Sequence, residues 1–133
     1  MLTVLSSLEM LAGSATCQNA TDEDIREVWR LHDQMLAFYK NRNRLQYFKL
    51  NQEIHSRLIS LSGNELLSLV HVILQSRMKR IRFIGDQNDD TWSAAVADNE
   101  EMMAALEARN GSGLSAAMVD HPERSWDRIK DAI

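Results

Sequence analysis

The chain of 133 residues has one cysteine, Cys17, and so no internal disulfide framework. A single thiol fits a reducing compartment, and a cytoplasmic protein is expected. Proline occurs once, at Pro122, and glycine five times, which leaves room for long unbroken helices. There is no basic excess. Fifteen Lys and Arg stand against nineteen Asp and Glu, a formal net charge of -4, which argues against a domain built mainly to hold nucleic acid. No apolar run approaches the roughly 18 residues that span a bilayer. The opening MLTVLSSLEMLAGSA lacks the basic start of a signal peptide, and Glu9 interrupts its apolar part. Leu5, Leu8, Leu11 and Ala15 share a face there, so the segment reads as an amphipathic helix. Sustained β alternation, a Gly-rich phosphate loop and a repeat period are all missing. So is any Ser/His/Asp or Cys/His arrangement, and no enzyme is expected.

With 44% hydrophobic and 26% charged residues, the composition is that of one globular domain. Helical periodicity divides it into helices of about 4–19, 21–40, 44–62, 64–84 and 91–109, and a last one running to Ile133 past Pro122. Thr21 followed by Asp24 has the spacing of a capping box. Gly63 is placed to cap the third helix. The fourth helix is expected to face inward with Leu66, Leu67, Val70, Ile73, Leu74, Ile81 and Ile84. The fold expected is all-α, an antiparallel bundle of six or seven helices.

Polar residues stand where that bundle should be apolar. Phe48, Asn51, His55 and Leu58 fall on one helical line. Asn99 lies on the line of Trp92, Ala95, Met102 and Leu106, and His121 on that of Leu114 and Met118. Buried amides and imidazoles are costly unless satisfied. Imidazole nitrogen suits zinc, nickel, copper or iron, with an Asn oxygen as a weaker neutral ligand. Hydrogen-bonded core residues are the alternative, and spacing alone does not choose. His32 and His71 read as ordinary packing or surface residues. Met78, Met102 and Met103 read as core filler. The acidic residues mostly sit at helix starts and outer faces, and no carboxylate is expected on these inner stripes. The RMKRIR run reads as a solvated face, except that Arg77 follows the inner stripe and suits a carboxylate.

The segment YFKLNQEIHSRLISLSGNELL, with LEMLAGSATCQNATDEDIREV before it and ADNEEMMAALEARNGSGLSAAMVDH after it, resembles the FCD domain. That is the C-terminal effector-binding domain of the FadR subgroup of GntR-type bacterial transcription regulators. The resemblance implies a bundle with a central ligand cavity, a zinc or nickel ion and a small carboxylate effector. Its ligand positions fall on Asn51, His55, Asn99 and His121. Asn99 replaces the usual His, which predicts weakened metal binding. Leu5 stands where the first helix often has an arginine. Arg77 and Arg80 are left as the candidate effector-binding residues. The winged-helix DNA-binding domain of those regulators has no counterpart in residues 1–133, so DNA would be met only through a separate domain. The function expected is ligand sensing and homodimerisation, with no membrane contact. The alternative is a helical interaction module with neither metal nor effector.

Overall fold

The computed structural model describes the backbone of residues 2–85 and 89–118, and the side chains there except those of 2, 3, 5, 6, 77–85 and 91. Five helices are α1 (Leu2–Asn19), α2 (Asp22–Lys40), α3 (Arg44–Ser60), α4 (Glu65–Gly85) and α5 (Asp89–Glu107). A sixth, α6, is described over 111–118. No strand occurs among the described residues. The bounds of α1 to α5 match the sequence periodicity to within a few residues, because their starts and stops have their own local chemistry, while the expected run of the last helix past Pro122 to Ile133 lies outside the described residues. Thr21 accepts from the Asp24 amide while Asp24 accepts from the Thr21 amide, a closed capping box. Asn43 and Asn64 accept from the Gln46 and Leu67 amides and so cap α3 and α4. Gly63, at φ 80°, takes the left-handed conformation that ends α3.

Helix α3 is the hub. It packs against α1, α2 and α4, while α1 also meets α4 and α2 meets α5. Tyr47, Ile54, Leu58 and Ile59 of α3 are buried with Val28 and Met35 of α2 and Met102, Met103 and Leu106 of α5. The apolar periodicity of α2 puts Ile25, Val28, Leu31, Met35 and Phe38 on one stripe, of which the first four are buried and Phe38 is half-buried, and the expected Trp92–Leu106 line of α5 is buried.

Helices α1 and α4 depart from expectation in the same way. Leu66 is 70% exposed and Ile73 50% exposed, where the sequence reading puts both inside. Leu11, also expected inside, is 65% exposed. The buried line of α4 is instead Leu67, His71 and Gln75, and that of α1 is Glu9, Ala12 and Thr16. Both lines keep a helical period of three or four. The apolar stripe and the inward stripe are therefore different faces of each helix. Polar partners make this tolerable. Thr16 donates to the Leu58 carbonyl at 2.7 Å. Gln75 donates to the Gln52 carbonyl at 3.2 Å and to Ser56 Oγ at 3.0 Å.

The turn between α5 and α6 is tied to the α1–α2 junction by Arg109, which has a φ of 52°. Its guanidinium donates to the Cys17 and Ala20 carbonyls at 3.0 and 2.6 Å and to Asp22 at 2.8 Å. These bonds satisfy carbonyls left over at the end of α1. The hydrogen bond from Arg109, with its charge, holds the Asp22 carboxyl below the usual aspartate range. That contribution is present above the ordinary pKa of 3.8 and lost as pH falls below it.

Helices α1 and α6 meet backbone to backbone at Gly13. A Cβ there would lie 2.5 Å from Ser115 Oγ and 2.8 Å from Ser115 Cα and N. Gly13→Ala should therefore destabilise the chain. The helix-propensity gain of about 1 kcal/mol is outweighed by overpacking of about 1–3 kcal/mol or more, since backbone must move. A thermal melt checks this, with a lower Tm expected.

Candidate ligand and metal site

The inner face of α3 carries Tyr47, Asn51 and His55 at intervals of four residues. Each step climbs about 6 Å along the helix. Asn51 and His55 are buried, as is Asn99 on α5. Asn99 Nδ2 donates to Tyr47 Oη at 3.1 Å, which sets the α5 amide against this face of α3, one turn from Asn51. Tyr47 is itself held edge-on by Trp92, with ring centroids 5.3 Å apart. Asn51 Oδ1 and Asn99 Oδ1 are buried without a hydrogen-bond partner among the described residues. Asn51 lies one turn from His55 on α3, and Asn99 meets the same face at Tyr47. Three of the four ligand positions read from the sequence are buried on these facing helices, and the fourth, His121, lies outside the described residues. So do the side chains of Arg77 and Arg80.

A carboxylate is also present, contrary to the expectation that none lies on an inner stripe. Glu9 of α1 has 0% exposure. Its Oε1 is 3.0 Å from His71 Nε2 of α4 and 3.9 Å from His55 Nδ1 of α3. His71, read from the sequence as packing or surface, is fully buried and hydrogen-bonded to this carboxylate. The physical reason is the turned faces of α1 and α4. A leucine-first reading of each helix points the wrong side inward and leaves Glu9 and His71 outside. A findable signal existed, since Glu9, Ala12 and Thr16 form a small and polar line of their own. Leu67, His71 and Gln75 do the same.

His32 is buried as well. Its Nε2 lies 3.2 Å from Glu100 Oε1, and its ring stands edge-on to Trp29. This pair ties α2 to α5 and stays with the packing role expected of it. Burial pushes the Cys17 thiol up, against a weaker opposing pull from Arg109, which disfavours a reactive thiolate. Two surface grooves are lined by described residues. One, of about 220 Å³, lies between Gln52 and Ser56 of α3 and Val72, Gln75 and Ser76 of α4. The other, of about 450 Å³, follows Ser60, Gly63, Asn64, Glu65 and Ser68. Neither touches Asn51, His55 or Asn99.

Among the described residues no three of His, Cys, Asp and Glu are grouped to hold a metal ion. The donors at hand are His55 and the two orphaned amide oxygens. By donor chemistry alone, such a set would suit a divalent cation of the borderline class, held weakly because amide oxygen is a neutral ligand.

The sequence model of the FCD domain matches residues 1–124. The chain belongs to the FCD domain family. FCD domains generally bind effectors for GntR-type regulators, a family of transcription factors and not of enzymes. Escherichia coli McbR/YncC is similar in structure, with a TM-score of 0.87 at 16% identity over 98% of this FCD chain. At that identity the likeness speaks for the fold. The chain spans 66% of the length of that McbR/YncC chain. No curated protein matches it in sequence. No helix of the described residues is long and apolar enough to cross a membrane.

The Glu9–His71 pair should show strong energetic coupling. His71→Leu alone leaves a buried carboxyl short of a partner and should cost about 3–5 kcal/mol. Glu9→Leu with His71→Leu should cost less than the sum of the two single changes. Urea denaturation of the four proteins measures it, and additive losses would contradict the pairing.

Proposed function

We propose that this FCD domain senses a small organic acid at the polar face shared by α3 and α5, and that it works as a homodimer in the cytoplasm. One observation carries the reading. Two buried amide oxygens, on Asn51 and Asn99, lack partners in a place where a plain core would hold leucine. Buried polar atoms of that kind are normally satisfied by protein, water or a ligand.

Asn51, His55 and Asn99, joined by His121, would hold a zinc or nickel ion. A bound cation would supply positive charge for an effector carboxylate. Asn99 in place of His makes the ion weakly held, since only two imidazoles remain in the set. Arg77 and Arg80 of α4 are the proposed effector-binding arginines, as a guanidinium fork matches a carboxylate.

The dimer has its own support. Leu66, Leu69, Val72 and Ile73 of α4 and Leu11 of α1 are exposed on two helices that pack against each other. Exposed apolar residues on packed neighbouring helices suit an interface, and a second copy would cover them symmetrically. Effector binding would then bias the relative placement of two subunits, provided the effector prefers one of two states. A DNA-binding domain in the same regulator would read that change. The outward apolar face also suits the second reading, a helical interaction module in which the polar face holds only water.

Titration calorimetry with Zn²⁺ or Ni²⁺, and thermal shift against a panel of carboxylic acids, separates the two. Sensing predicts one weak ion per chain, a Tm raised by at least one acid, and loss of both in His55→Ala. An interaction module predicts neither ion nor acid binding, with His55→Ala changing only Tm.

A further inference from the structure

The groove between α3 and α4, of about 220 Å³, plays no part in the sensing scheme. Gln52 and Ser56, one turn apart, line it from α3, and Val72, Gln75 and Ser76 line it from α4. None of these lining residues is charged. Gln75 is buried, and its amide nitrogen gives both hydrogens to α3, one to the Gln52 carbonyl at 3.2 Å and one to Ser56 Oγ at 3.0 Å. Ser56 Oγ accepts that bond, so its hydroxyl keeps a hydrogen to donate. Gln52 Nε2 is buried and has no hydrogen-bond partner among the described residues. A buried amide nitrogen without a partner is uncommon and calls for an occupant.

We propose that this groove is a binding site of its own, for a small neutral compound that carries a carbonyl group, an amide or a ketone. Gln52 Nε2 and the Ser56 hydroxyl are donors, so what they lack is an acceptor. A carbonyl oxygen has two lone pairs and no hydrogen, which matches two donors. A carboxylate would accept as well, but none of the lining residues is cationic and able to offset the loss of its water. Pockets for drug-sized molecules begin at about 300 Å³, so the occupant is smaller than these. Its aliphatic part would rest on Val72, which is 54% exposed.

The proposal does not rest on the reading of Asn51, His55 and Asn99, none of which lines the groove. It does bear on the outer face of α4. Val72 belongs to that face, so a molecule lying against it would meet any second copy that covers the helix.

Proton–nitrogen NMR on the ¹⁵N-labelled chain tests this at the atom concerned, because the Gln52 side-chain NH₂ gives its own signal, assigned with Gln52→Met. N-methylacetamide, pyrrolidinone and cyclopentanone are the neutral probes, and propionate is the anionic one. At least one neutral probe should move the Gln52 NH₂ and the backbone amides of Ser56 and Ser76 saturably, and propionate should leave them in place. Gln52→Met keeps the length of the side chain and removes the donor, and it should weaken that binding about 3- to 10-fold. Absence of a saturable shift with every neutral probe overturns the proposal and leaves water alone in the groove. Propionate moving these signals as strongly as the neutral probes overturns it too. So does a folded Gln52→Met that binds as well as the wild type. Should Gln52→Met not fold, the wild-type comparison of neutral and anionic probes still decides.

Discussion

A carboxyl group and two imidazoles without solvent cannot be buried one at a time. Glu9, His55 and His71 each carry a polar atom that water would otherwise satisfy, and removing water from such a group costs several kcal/mol unless a partner replaces it. The packing of α1, α3 and α4 follows from that constraint. Each of the three must present its polar line to the others, at a depth where leucine is the default. Thr16 on the Leu58 carbonyl and Gln75 on Gln52 and Ser56 belong to the same solution. They settle α1 and α4 on α3 by hydrogen bonds as much as by apolar burial.

That solution has a cost on the outside. If α1 and α4 turn their polar and small residues inward, their leucines face out. Leu11, Leu66 and Leu69 are each at least 60% exposed. A site built from polar residues and an apolar outer surface are thus two sides of one arrangement. A ligand that repacks the polar interior acts on the very helices that carry the outer face. Under the sensing proposal, such a layout would let an internal binding event change the placement of two subunits.

Much of this was legible in the sequence, and the rest was hidden for a physical reason. The line through Asn51 and His55 stands out because Phe48 and Leu58 flank it with the same period, so the polar pair interrupts an otherwise apolar stripe. Asn99 is visible for the same reason, between Trp92, Ala95, Met102 and Leu106. Helix bounds were readable from Thr21, Asp24 and Gly63, whose capping chemistry is local. Glu9 and His71 were missed although each lies on a visible polar line, because hydrophobic periodicity assumes that the most apolar face is the buried one. On α1 and α4 two faces compete, and only their neighbours decide between them. The Arg109 clamp was equally hidden. It joins residues far apart in the chain and depends on a left-handed turn that no local pattern marks.

The central claim is that the polar interior around His55 is a binding site and not merely a satisfied core. Anomalous diffraction at the zinc edge, from crystals of the chain grown with zinc, tests it most directly. The account predicts a peak inside the bundle, within coordination distance of His55 Nε2 and of Asn51 or Asn99 Oδ1. Peaks confined to surface residues, with water alone between Asn51, His55 and Asn99, would contradict it.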